Sequence, residues 1–251
     1  MTADDAPLRN MLHVVERAYL TASGLVPAPY VSALAATTGE ERQVGVLCLD
    51  IGAGTTSMAT FAQGHLLSND VVPIGGNHAT FDLAQTLSAS VYEAERIKKD
   101  HVTLASVAGG DQDVIAYVLA DEEAGAASST TKGQARAIVR DRMLRLFGDV
   151  ASRLERSNVA RYAKRIVLTG GASQQAGLSE LAADFFARPV RIARIQPVGG
   201  LPAQFSSPAF STAVGLVQVA LDPTAGTQWE QGGLEAGGYL QRMGQWLRES
   251  F

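Results

Sequence analysis

The spacing of apolar positions changes several times along the chain, and each change marks an element. Leu8, Met11, Leu12, Val15, Ala18 and Tyr19 recur at three- and four-residue intervals behind Pro7. That spacing predicts a helix that opens at Asp5 and closes at Gly24. A Pro-rich turn, Val26 to Pro29, leads to a short apolar helix over Tyr30 to Ala36, and Gly39 to Arg42 reads as a polar turn. Val44 to Asp50 is a continuous apolar run, as in a strand buried on both faces. Gly52-Ala53-Gly54 turns the chain into a second strand, Thr55 to Ala62, and Gln63-Gly64 into a third, His65 to Pro73. Asn77 can cap a helix to Leu87.

Val91 to Asp100 is a further helical segment, and Val102 to Val107 with Asp113 to Leu119 reads as a pair of strands about Gly109-Gly110. Asp121 to Lys132 reads as a loop. Ile138, Met143, Leu146, Phe147, Val150 and Leu154 then mark one side of a long helix over Gly133 to Ser157. Arg165 to Thr169 is a buried strand ending in Gly170-Gly171. After it come a helix (Leu178 to Phe186), a short strand (Val190 to Ala193), a Pro/Gly loop (Pro197 to Pro208) and an apolar helix (Phe210 to Leu221). Five glycines between Asp222 and Gly238 make that stretch a flexible tether. Tyr239 to Phe251 regains helical spacing.

Composition narrows the class. The 251 residues are 46% hydrophobic and 18% charged, which excludes a disordered or fibrous chain. The net charge of −4 argues against a general nucleic-acid binder. A single cysteine, Cys48, forms no internal disulfide and fits a reducing compartment. No stretch approaches the roughly 20 apolar residues of a membrane-spanning helix.

Three motifs carry candidate chemistry. In Asp50-Ile51-Gly52-Ala53-Gly54-Thr55-Thr56, glycines let consecutive amides approach phosphate oxygens, Thr55 and Thr56 add hydroxyls, and Asp50 suits a water-held Mg²⁺. Alone, the same residues also make an ordinary hairpin turn. It is not a Walker A loop, since no Gly-Lys-Ser/Thr follows. In Thr169-Gly170-Gly171-Ala172-Ser173 a strand runs into a glycine pair where a nucleoside can lie against backbone, or where strand and helix merely pack closely. Glu95 and Lys98 share a helix face, able to meet ribose and base or to form a solvated ion pair.

Taken together, Leu49 to Thr56, Val72 to His78, Glu93 to Lys99, Ile166 to Ser173, Ser211 to Leu216 and the tail Trp246 to Phe251 resemble the FtsA family within the actin/Hsp70/sugar-kinase superfamily. The similarity extends over nearly the whole chain. The family usually has Gly where Ala53 stands and an acidic residue where Ser57 stands. The resemblance implies an α/β fold, an RNase-H-like (actin-type ATPase) lobe whose mixed sheet is flanked by helices. It further implies an inserted small α+β subdomain, a flexible linker and a C-terminal amphipathic helix. The implied division is residues 1–43 packing on a first lobe, 44–88 with 163–221 as subdomain 2A, 89–162 as subdomain 2B, 222–238 as linker and 239–251 as membrane-targeting helix.

The family's first phosphate loop and its own inserted subdomain have no counterpart in these 251 residues. The resemblance therefore implies a chain truncated at its N-terminus, with weak or absent ATP affinity by itself. The implied function is anchoring of the FtsZ ring to the cytoplasmic face of the bacterial inner membrane at the division site, as a peripheral, self-polymerising protein. ATP and Mg²⁺ are the implied cofactors, with at most weak ATPase turnover. The residues matching the family's nucleotide site are Gly52, Ala53, Gly54, Thr55, Thr56, Glu95, Lys98, Gly170, Gly171, Ala172 and Ser173, with Asp50 for the metal. Partners would be the FtsZ C-terminal peptide (received near Arg142), further copies of the chain, anionic lipid and other division proteins, with no nucleic acid. The alternative is a sugar- or acetate-kinase-like phosphotransferase of the same superfamily.

The tail supports the first alternative. On a helix Leu240, Met243, Trp246 and Leu247 face one way, with Phe251 one turn on and Arg242 and Arg248 beside or away from the stripe. Half-burying four or five such side chains in lipid gives about 3–7 kcal/mol. Ordering the helix subtracts several kcal/mol, so one copy binds reversibly and a polymer binds stably.

Overall fold

A computed structural model describes residues 5–105, 109–120, 127–195 and 198–222. Helix α1 (Asp5–Arg17) buries none of its residues. Helices α2 (Ala28–Ala36) and α3 (Gly39–Val44) lead into strands β1 (Val46–Ile51), β2 (Thr56–Ala62) and β3 (His65–Val72). Helices α4 (Gly76–Leu87) and α5 (Val91–His101) precede a hairpin of β4 (Val114–Val118) and β5 (Ala127–Thr131). Helix α6 (Lys132–Arg156), strand β6 (Arg165–Thr169), helix α7 (Leu178–Phe186), strand β7 (Val190–Ile192) and helix α8 (Ser211–Leu221) complete the order.

Five strands form one mixed sheet in the order β3-β2-β1-β6-β7. The β1–β2 and β2–β3 pairs are antiparallel, whereas β1–β6 and β6–β7 are parallel. The continuous apolar run of β1 follows from its central place. Leu47, Leu49 and Ile51 join Ile166 and Leu168 of β6 beneath Leu83 of α4, Ile97 of α5 and Leu146, Phe147 and Val150 of α6. Val46 and Cys48 join Val167 on the other face, under Tyr30 and Val31 of α2 and Val214 of α8. The expected α/β architecture with a mixed sheet flanked by helices is what forms. Among the described residues no helix is long and apolar enough to cross a membrane.

Several boundaries and one pairing differ from expectation. The first helix stops at Arg17, because Tyr19 turns left-handed (φ 58°) and the Leu20 N–H closes on the Val15 carbonyl. Gly39 to Arg42 is helical, nucleated by Thr38, whose hydroxyl accepts from the Glu41 N–H while the Glu41 carboxylate accepts from the Thr38 N–H. Helix α4 starts at Gly76, capped by Gly75 rather than Asn77. Residues 102–105 are not a strand: Val102 and Leu104 are buried, and the Leu104 amide donates to the Ala176 carbonyl at 2.7 Å. The partner of β4 is instead β5, inside the stretch read as a loop. Its Ser/Thr residues follow strand periodicity, with Thr130 buried opposite Ile115.

Candidate functional site: a nest of three turns

Strand β1 ends at Asp50-Ile51, and the chain turns through Gly52–Thr55 into β2. The Gly52 N–H closes that turn on the Thr55 carbonyl at 2.9 Å. The carbonyls of Gly52 and Ala53 face inward and accept the first-turn N–H groups of α4 at Gly76 and Asn77, both at 2.9 Å. Ala53, Gly54 and Thr55 are exposed, and their own amides have no partner among the described residues. Consecutive unpaired amides at an exposed tip are the donor set of an anion nest. Thr56 does not share that role: it is buried, and its hydroxyl donates to the Ile74 carbonyl at 2.7 Å.

The second glycine turn lies directly behind the first. Gly170 has φ 85°, and a Cβ there would stand 2.4 Å from Asp50 Oδ1 and 2.5 Å from the Ile51 carbonyl oxygen. A Cβ on Gly76 would stand 2.7 Å from the Ala172 methyl, and one on Gly75 2.6 Å from the Gly52 and Ala53 carbonyl oxygens. Three turns thus meet at distances that exclude any side chain. Gly171 is exposed, while Ser173 is buried and its hydroxyl donates to the Gly170 carbonyl at 2.7 Å. Helix α8 closes the back: Thr169 and Ser211 share a hydroxyl hydrogen bond, and Thr212 Oγ1 donates to Asp50 Oδ2 at 3.0 Å. Burial pushes the Asp50 carboxyl up, against the lowering hydrogen bonds from Thr212 and Ser32.

Glu95 and Lys98 reach the same place from α5. Lys98 is 8% exposed, and its Nζ lies 2.6 Å from Glu95 Oε2, 2.7 Å from Thr80 Oγ1 and 3.2 Å from the Gly76 carbonyl oxygen. The Thr80 hydroxyl in turn donates to Glu95 Oε2 at 2.5 Å. Burial alone would raise the Glu95 carboxyl. The hydrogen bonds from Lys98 and Thr80 and the Lys98 charge outweigh it and bring the carboxyl down to about 2. Lys98 is therefore a buried tie between α5 and the first turn of α4, and Glu95 is the more exposed member.

Asp50, Gly52–Thr56, Glu95, Lys98 and Gly170–Ser173 thus gather around the start of α4. Gly75, Gly76, His78, Thr80 and Thr212 are parts of this nest that spacing alone did not single out as site residues; the glycine pair ahead of a helix was the one available signal. Arg142 lies on α6, where its Nε and Nη2 both donate to Asp82 of α4 at 2.6 Å. No group of three or more metal-type side chains exists among the described residues. Asp50 therefore stands as a lone carboxylate at the end of β1. Leu240, Arg242, Met243, Trp246, Leu247, Arg248 and Phe251 lie outside the described residues.

Known proteins share this fold, and others share its sequence. In fold, the chain superposes on MreB5 of Spiroplasma citri bound to ADP with a TM-score of 0.71 at 17% identity, covering 89% of this chain and 67% of that one. It also superposes on the PilM-PilN type IV pilus biogenesis complex with a TM-score of 0.63 at 20% identity, covering 86% and 58%. In sequence it is 40% identical to the cell division protein FtsA of Rhizobium meliloti (strain 1021) and 29% identical to that of Escherichia coli (strain K12). Both alignments take in the whole chain, which spans 58% and 62% of those relatives' length. The family profile described as "Cell division protein FtsA" matches residues 47–215, the stretch that holds all three turns of the nest. On these grounds the chain belongs to the FtsA family of cell-division proteins.

Proposed function

We propose that this chain is the nucleotide-cupping and partner-binding part of a cell-division protein that holds the FtsZ ring on the membrane. The observation that carries this reading is the exposed tip Ala53-Gly54-Thr55, whose amides have no partner among the described residues, on a turn whose Gly52 and Ala53 carbonyls are held by Gly76 and Asn77. Mg·ATP, when bound, supplies the phosphate charge and the ribose–adenine body that the nest would recognise. The three amides donate to phosphate oxygens. The side-chain-free face of Gly171 accepts the nucleoside, and Glu95, kept ionised by Lys98, accepts from ribose hydroxyls. Asp50 holds Mg²⁺ through water. These groups bind and orient, in keeping with a role in structural assembly with little ATPase turnover. Support also comes from MreB5 of Spiroplasma citri, a protein of the same fold whose structures are bound to ADP and to AMPPNP.

The rest of the reading follows from family membership and from the tail. Exposed Arg140 and the Asp82-held Arg142 on α6 suit the FtsZ C-terminal peptide. The Trp246-bearing tail suits anionic lipid on the cytoplasmic face of the inner membrane, and self-polymerisation multiplies its weak grip. The test is titration of the ¹⁵N-labelled chain with Mg·ADP. Shifts at Ala53, Gly54, Thr55 and Gly171 are expected, at concentrations well above those of a two-lobed clamp. Shifts confined to other regions, or none at saturating nucleotide, would refute the nest as a nucleotide site.

A further inference from the structure

Helix α4 begins in an unusual way. In the common capping box a Ser or Thr at the cap pairs with a Glu or Gln three residues on. Here the cap is Gly75, which has no side chain to offer, and the residue three on is His78. The Gly75 N–H donates to His78 Nδ1 at 3.1 Å, and the His78 N–H donates back to the Gly75 carbonyl at 3.1 Å. An imidazole nitrogen accepts only when it carries no hydrogen, so this contact selects the neutral tautomer with the hydrogen on Nε2. The next two amides, Gly76 and Asn77, are the ones that hold the Gly52 and Ala53 carbonyls. The imidazole therefore fixes the amide that immediately precedes the two holding the Gly52–Thr55 turn, the turn on which Ala53, Gly54 and Thr55 are exposed.

We infer that His78 is a positioning residue for the Gly52–Thr55 turn, and that it serves because it is an acceptor without charge. This purpose rests on the anion reading above; the geometry does not. A Glu at position 78 would be the ordinary cap and would suit the positive end of the helix. It would also add a negative charge at the end of α4 that holds the turn meant to receive phosphate. Several charged groups on α4 and on the elements packed around it are already paired, although Arg140 of α6 is exposed and outside these pairs. Lys98 and Lys99 of α5 pair with Glu95, and Arg142 of α6 pairs with Asp82 of α4 itself. Asp50 of β1 is the remaining anion beneath the turn. Lys98, Lys99 and Arg142, the cations paired around α4, would not be free to meet a further carboxylate.

The experiment compares the 251-residue chain with His78→Gln, His78→Glu and His78→Ala. Amide exchange at Gly76 and Asn77 reads the docking of the turn, imidazole ¹⁵N shifts read the tautomer, and pyrophosphate titration reads the anion site. Nδ1 should show the shift of an unprotonated acceptor. His78→Ala should speed exchange at Gly76 and Asn77 about fivefold. Gln and Glu should restore the protection. Gln should also keep wild-type pyrophosphate affinity, whereas Glu should lower it about fivefold. An Nδ1-protonated tautomer, or unchanged exchange in His78→Ala, overturns the positioning role. Equal pyrophosphate affinity in the Glu and Gln variants overturns the charge argument. If the wild type binds no pyrophosphate and no Mg·ADP while exchange still follows the series, the nucleotide reading fails and the positioning role stands.

Discussion

The buried tie between α5 and α4 makes a quantitative demand on folding. Bringing the Glu95 carboxyl from its ordinary 4.5 to about 2 corresponds to about 3 kcal/mol at 1.36 kcal/mol per pH unit. The Glu95 side chain remains 30% exposed, so solvent screening leaves roughly 1–2 kcal/mol shared among Lys98, Thr80 and Lys99. Lys98→Met keeps the aliphatic stem in its packing and removes only the charge, leaving Glu95 with Lys99 at 3.2 Å and the Thr80 hydroxyl. We expect a loss of about 1–2 kcal/mol in urea unfolding at pH 7, less than for a wholly buried pair. Glu95→Gln should cost about 2 kcal/mol, since the buried Lys98 ammonium then meets only neutral acceptors, the amide oxygen at 95, the Thr80 hydroxyl and the Gly76 carbonyl. The double variant should lose about 1–2 kcal/mol less than the sum of the two. The sign of the pH dependence is fixed by the direction of the shift. A carboxyl whose folded pKa is depressed contributes fully above about 4.5 and loses its contribution as pH falls toward about 2. The coupling measured at pH 7 should therefore shrink at pH 3. Additivity within about 0.5 kcal/mol at pH 7, or a coupling indifferent to pH, refutes the tie.

Two further outcomes follow from the structure, and a third from the sequence of the tail. Gly170→Ala meets both a left-handed backbone (φ 85°) and the Asp50 and Ile51 oxygens at 2.4 and 2.5 Å, so it should lower stability by about 2–4 kcal/mol in thermal melts. Gly54→Ala, with nothing within 4 Å of its Cβ, serves as the near-neutral control. Glu41 is 6% exposed and lies between Arg191 and the Thr38 N–H. Burial raises its carboxyl, but the hydrogen bonds from Arg191 and Thr38 prevail and bring it down to about 2, so its contribution is full above about 4.5 and fades as pH falls toward about 2. Glu41→Gln should flatten the acid limb of stability between those values, and an unchanged acid midpoint would count against the pair. Trp246→Ala should lose most flotation with anionic vesicles, whereas equal flotation would place the lipid contact elsewhere.

The sequence made some of this legible because some requirements are local. A backbone amide can approach a phosphate, or a neighbouring turn, only where there is no Cβ, and that demand shows as glycine whatever surrounds it. Hence Gly52, Gly54, Gly170 and Gly171 could be picked out, and the continuous apolar runs before them predicted strands covered on both faces. The hairpin partner of β4 was hidden because residues 127–131 are polar, and only the burial of Thr130 under α6 marks them as a strand. Lys98 was hidden in a different sense. Helical spacing correctly set it beside Glu95, but spacing cannot tell a solvated pair from one roofed by another helix, and α4 arrives from residues 76–87. The Thr212–Asp50 bond joins positions 162 apart, and nothing along the chain announces it. His78 lies between these cases. Its distance from Gly75 has the form of a capping box, but the residue type does not, and the chemistry of that mismatch becomes readable only once Gly76 and Asn77 are seen holding the turn. Local departures from a common pattern, placed against the tertiary contacts they serve, are where function is written in this chain.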